Sequence, residues 1–98
     1  MNIRPGPQTD EFLRRLRAWP VSSWRHGDRI AATRRALDAL AALAAGARGV
    51  VVPEVPPLAV HVLADQLVVL IADARAAGVP ASQVDAVISD LRTELGLG

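Results

Sequence analysis

Residues 57–80 read PLAVHVLADQLVVLIADARAAGVP. Within them Val60, Leu63, Leu67, Leu70 and Ala74 recur at three- and four-residue steps, the spacing of one face of an α-helix. Val62, Val68, Val69 and Ile71 spread the apolar surface well past a single stripe. A helix that is apolar on most sides is normally central in its domain or lies against another subunit. Pro57 suits a first helical turn, while Gly78 followed by Pro80 reads as a stop, so the helix is expected over about residues 57–77. The segment organises an all-α reading of the whole chain.

C-terminal to it, Val84, Val87, Ile88, Leu91 and Leu95 form a narrow helical stripe that Gly96 ends. Ser82 and Asp85 resemble a capping box at its start. The tight turn at Gly78 makes the two helices an antiparallel hairpin. N-terminal to residues 57–80, Arg48 to Pro57 (RGVVVPEVPP) holds three prolines, which forbid an interior helix. The Val50–Val52 run has strand character but no evident pairing partner, so the stretch is read as a Pro-rich connector.

Before the connector, Ile30, Leu37, Leu40 and Leu43 share a helical stripe, with Gly46 and Gly49 as stop signals. The start of this helix is placed at Ser23 or at Asp28, because Gly27 weakens any helix passing through it. Phe12, Leu16 and Trp19 mark a first helix capped by Thr9 and ended by Pro20. Residues 1–8, with Pro5, Gly6 and Pro7, read as a flexible arm. The expectation is a small four-helix bundle-like domain over residues 9–98, with the connector between its second and third helices.

Composition limits the chemistry. The chain has 98 residues, 51% of them apolar, and no cysteine, which excludes disulfides, thiol catalysis and thiolate metal sites. Its only aromatics are Phe12, Trp19 and Trp24. Met1 to Asp10 lacks the apolar core of a secretory signal, and Leu58 to Ala72 is too short and too polar to span a bilayer. A cytoplasmic protein is expected.

The net charge of +1 hides a division between the halves. Residues 1–49 carry nine arginines against Asp10, Glu11, Asp28 and Asp38, a balance of +5. Residues 50–98 carry Arg75 and Arg92 against six acids, a balance of −4. Every basic residue is arginine; an alanine-rich chain with this usage also fits a GC-rich coding bias. The densest basic and aromatic segment spans Arg14 to Arg29. Arg14, Arg17, Trp19, Trp24 and Arg25 are its candidate partner-binding residues, because arginine and tryptophan dominate protein interfaces and also grip phosphates and stack on bases. The competing reading packs both tryptophans in the core and pairs the arginines with the acidic half.

Other constellations are weaker. Ala74, Gly78, Val79, Val84 and Val87 have helix-turn-helix spacing, but the exposed side of the second helix carries Asp85, Asp90 and Glu94, which would repel a phosphate backbone. His61 and Asp65 stand four residues apart on one helix, the spacing of a local hydrogen-bonded pair more than of a metal site. No glycine-rich phosphate loop or nucleophile turn is present. No catalytic, metal or cofactor site is expected. The first helix, with an arginine face and a Phe/Leu/Trp face, also fits a membrane surface, as would any surface helix. The function expected is therefore a non-enzymatic interaction or assembly module. The surplus apolar surface around residues 60–71 points to a homodimer. The alternative is a small nucleic-acid-binding regulator that uses the Arg/Trp-rich half.

Overall fold

The computed structural model of the chain describes residues 7–57 and 59–97, with side chains from residue 9 onward. These residues form five α-helices and one turn of 3-10 helix, and no strand occurs among them. The helices are α1 (Pro7–Arg17), α2 (Val21–Trp24), α3 (Arg29–Arg48), α4 (Leu63–Ala76) and α5 (Ala81–Glu94), with the 3-10 turn at Val60–Val62 leading into α4.

α4 is held chiefly by α3, with α1 and α5 also in contact. The side of α3 that meets its neighbours is built from Ala32, Thr33, Ala36, Leu37, Leu40, Ala41, Ala44 and Ala45, all buried. This is a stripe two residues wide repeating every four, and its small side chains let another helix approach closely. α4 contributes Leu63, Ala64, Leu67, Ile71 and Ala74. Its stripe is turned from the sequence expectation: Ile71 is buried, whereas Leu70 and Val60 are half-buried. Thr33 is the one fully enclosed polar residue of α3, and its Oγ1 donates to the Arg29 carbonyl at 2.9 Å. A single hydrophobic cluster runs from Phe12 through Trp24, Leu40 and Leu67 to Leu95.

Several boundaries differ from expectation for local reasons. α1 starts at Pro7, so Thr9 lies inside the helix and is buried instead of capping it. The expected arm over residues 1–8 thus loses Pro7 and Gln8 to α1, and its other residues lie outside those described. α1 ends at Arg17, and Trp19 follows it in the turn before Pro20, where the proline ring disfavours helical backbone in the preceding residue. The start that was ambiguous between Ser23 and Asp28 resolves into two elements. α2 is one turn after Pro20, Gly27 takes φ +61°, and α3 begins at Arg29. At the other end of α3, Gly46 remains helical and Gly49 stops the helix.

Residues 51–57 carry neither helix nor strand, and Val50, Val51 and Val52 are exposed. The helix expected from Pro57 begins instead as a 3-10 turn at Val60, and the regular helix starts at Leu63. β-branched Val60 and Val62 are weak starters of an α-helix. Ser82 makes no side-chain cap bond. Pro80 precedes α5, and its carbonyl accepts from the amides of Gln83 and Val84.

The α4–α5 reversal depends on Gly78, whose φ of +88° is open to glycine and strained for other residues. It allows the Val79 amide to reach back to the Ala74 carbonyl at 3.0 Å, and Val79 itself is buried. α5 then packs more extensively on α3 than on α4. No described helix is long and apolar enough to cross a membrane.

Leu67 has no exposed surface and belongs to the hydrophobic cluster that α4 shares with α3. Leu67→Ala is expected to cost about 3 kcal/mol in denaturant unfolding, as cavities in helical cores do. A loss below about 1 kcal/mol would mean that the helices collapse into the space, contrary to a close-packed α3–α4 contact.

Candidate interaction surface

The Arg/Trp segment folds onto itself. Pro20 opens α2 so that Trp24 points inward, and it is only 2% exposed. Trp19 meets it edge to face, with ring centroids 5.0 Å apart and planes at 73°. The Arg29 guanidinium covers the Trp19 ring at 4.5 Å and donates through Nη1 to the Ser23 carbonyl at 2.9 Å. A cation held over an indole contributes about 0.5–1 kcal/mol at a partly exposed site.

Of the five candidate residues, the structure thus brings Trp19 and Trp24 together and leaves Arg14, Arg17 and Arg25 exposed. Trp24 is a core residue and offers no contact surface, a correction to its proposed exposed role. Trp19 is half-buried beneath Arg29. Arg29 was not among the candidates. Its stacking depends on the reversal at Gly27, which helical spacing does not reveal.

The charge division is met in part within the chain, by three ion pairs. Arg17 of α1 reaches Asp65 of α4, with Nη2 at 2.8 Å and Nε at 2.9 Å from Oδ1. Arg35 of α3 meets Glu94 of α5 at 2.7 Å. Arg48, the last residue of α3, grips Asp73 of α4 bidentately at 2.9 and 3.0 Å. In every case an arginine of the first half neutralises an acid of the second. Hydrogen bonding to Arg48 holds the Asp73 carboxyl below its ordinary range, and the same bond raises the Arg48 guanidinium. Asp65 is engaged by Arg17, and His61 sits exposed on the 3-10 turn, so the expected His61–Asp65 pair gives way to an interhelical one. Among the described residues no cluster of three or more His, Cys, Asp or Glu could hold a metal.

Part of what remains uncovered is apolar. On the side of α4 away from its buried stripe, Val62, Asp65, Gln66, Val69 and Leu70 line an open groove of about 320 Å³. Val69 is 63% exposed. Leu70 also borders a second cavity of about 180 Å³, where Val50, Val55, Pro56 and Ala41 bring the segment after α3 against α4. Gln66 donates to the Pro56 carbonyl at 3.3 Å and ties that segment down, leaving its own Oε1 buried without a donor. Beyond it, Val51 is 90% exposed. Leu70 thus borders both the groove and the cavity beside Val50.

Comparison with protein-family models, curated proteins and solved structures finds no match.

Two outcomes follow from this geometry. With Trp24 enclosed and Trp19 half-covered, acrylamide should quench Trp19→Phe protein, which retains Trp24, far less than Trp24→Phe protein, which retains Trp19. Equal quenching would place Trp24 at the surface. The Asp73 carboxyl is depressed in the folded state, so its contribution is present above its unfolded value near 3.8 and is lost as pH falls through the lower folded value. Asp73→Asn should therefore flatten the acid limb of stability against pH at and below that point, and an unchanged limb would show that the Arg48 contact contributes nothing.

Proposed function

We propose that this chain is a non-enzymatic interaction and assembly module that pairs with a second copy of itself through the outer face of α4. In this reading α1, α3, α4 and α5 act as a small four-helix bundle-like domain, with the Pro-rich stretch as a connector between α3 and α4. The observation that carries it is Val69, 63% exposed on a helix whose opposite side is fully buried, beside a groove walled by Val62 and Leu70. Apolar surface of this kind, rimmed by charge, is typical of protein contacts.

A second copy suits the face electrostatically. Its two ends are already neutral, Arg17 with Asp65 near the start of α4 and Arg48 with Asp73 near its end. Two such faces can approach antiparallel without like charges meeting, and an isologous contact of this sort closes as a two-fold dimer.

Nucleic-acid binding through the N-terminal half has less support. Base stacking needs free rings, and Trp24 is enclosed while Arg29 covers Trp19. Arg17, Arg35 and Arg48 are occupied by carboxylates. Arg14, Arg15 and Arg25 remain exposed and form no ion pair among the described residues, a small set on which to build a strong salt-dependent affinity.

Light scattering on a sizing column is expected to give twice the 10.4 kDa chain mass, falling toward one chain on dilution. Val69→Asp should leave the helical circular dichroism unchanged and give one chain at every concentration. A single-chain mass for the unaltered protein across the micromolar range would overturn the proposal.

A further inference from the structure

We infer that residues 51–57 are a strap that opens while the helices stay packed, and that its opening extends the α4 groove into the cavity between α3 and α4. The device belongs to the single chain and does not depend on self-association.

Both ends of the strap are anchored. Gly49 takes φ +68° to end α3, the Val50 amide bonds back to the Ala45 carbonyl, and Arg48 grips Asp73 of α4. At the other end the 3-10 turn at Val60–Val62 leads directly into α4, and half-buried Val60 packs against the hydrophobic cluster. Between these anchors little holds the chain. Among the described residues, no backbone–backbone hydrogen bond runs to or from residues 51–57. Pro53, Pro56 and Pro57 have a fixed φ and no N–H, so the segment is stiff and moves as a piece. It is held down by half-buried Val55, which packs against the cluster, and by the Pro56 carbonyl, which accepts from Gln66 Nε2 at a long 3.3 Å.

The closed strap is also poorly supported from beneath. Ala41 and Ala45 of α3 line a cavity of about 180 Å³ whose wall includes Pro53, Val55 and Pro56 of the strap. Both alanines are buried yet stand outside the hydrophobic cluster, so the strap is what covers them. Space on this scale forgoes the dispersion contacts of a close-packed core. Closure carries a polar cost as well. Pinned to Pro56, Gln66 keeps its Oε1 buried without a donor, and opening returns that oxygen to water. Few contacts and an unmet acceptor between fixed ends make this the segment that opens before the helices do. Gln66 lines the α4 groove and Pro56 lines the cavity, so the bond between them stands at the partition. Swinging Pro56 away joins the two along Leu70, which borders both.

The absence of cysteine makes the test direct, by labelling single-cysteine variants with an aromatic disulfide reagent larger than the cavity. Three positions on α3 are compared: exposed Ala42, Ala41 beneath the strap, and Ala32, buried in the core and bordering neither the groove nor the cavity. Ala41→Cys should react at least about tenfold slower than Ala42→Cys and at least about tenfold faster than Ala32→Cys. Ala45→Cys repeats the measurement if Ala41→Cys disturbs folding. Val55→Ala, which loosens the closed strap, should speed Ala41→Cys about threefold. Ile88→Val, in the core on α5, should speed Ala32→Cys about fivefold through global unfolding and leave Ala41→Cys unchanged. Once labelled, Ala41→Cys cannot close over the added ring, and it should bind an apolar fluorescent dye more strongly than labelled Ala42→Cys. Equal rates at Ala41 and Ala42 would show a floor without a cover. Equal rates at Ala41 and Ala32, or an equal rise at both on Ile88→Val, would show opening only by unfolding. Either result overturns the strap, and unchanged dye binding overturns the joining of groove and cavity. A single-chain mass for the unaltered protein, which overturns self-association, leaves the strap standing.

Discussion

The contact between α3 and α4 governs the rest of the molecule. α3 presents mostly alanine to its partners, interrupted by Leu37 and Leu40. Alanine contributes little area per residue, so the contact is stabilised by closeness and length more than by large side chains. Close approach brings α4 deep into the domain, and a deep helix must be apolar on several sides. α1 and α5 cover part of what α3 leaves open, and α1 meets α4 with Phe12 and Leu16 among its buried residues. The outer side of α4 has no further helix to meet. Its exposed valine follows from the same economy of small residues that allows the core to close.

Charge reinforces this arrangement without determining it. Each of the Arg17–Asp65, Arg35–Glu94 and Arg48–Asp73 pairs joins two different helices, and each lies at the surface with both side chains at least 40% exposed. Exposed pairs contribute little individually to stability. Their larger effect is on what the surface can bind: three of the nine arginines that make the first half basic, Arg17, Arg35 and Arg48, are engaged by acids of the same chain. The tryptophans are used in the same inward manner, one in the core and one beneath a guanidinium.

The all-helical character and the helical stripes of α3, α4 and α5 were legible in residue periodicity, because Leu37, Leu40, Leu63, Leu67, Ile88 and Leu91 fall at helical steps and are buried. The termini of the helices were less so. Thr9, Ser82 and Asp85 look like caps, yet α1 starts at Pro7 and α5 directly after Pro80, positions at a helix start where a proline's missing N–H costs nothing. The turn at Gly27 and its consequence for Trp19, Trp24 and Arg29 escaped periodicity, since a positive φ redirects the chain without leaving a repeating pattern. The widened apolar surface of α4 was visible in Val68, Val69 and Ile71, but which of them is covered depends on how far the helix is rotated. Ile71 is buried and Val69 is not.

The order of α3 and α4 along the chain has a consequence for how the protein comes into being. α3 is complete at Arg48, before any residue of α4 has been added to a growing chain. Its twenty residues are rich in the best helix former, so the helix can form early and stand as a template. Until α4 and α5 follow, the inner face of that helix lies open and Arg17, Arg35 and Arg48 lack the acids that later meet them. The nascent first half is thus apolar on one face and cationic, and synthesis of the second half covers that face and pairs three of its arginines. A pause in elongation between Arg48 and Leu63 would prolong that exposed state.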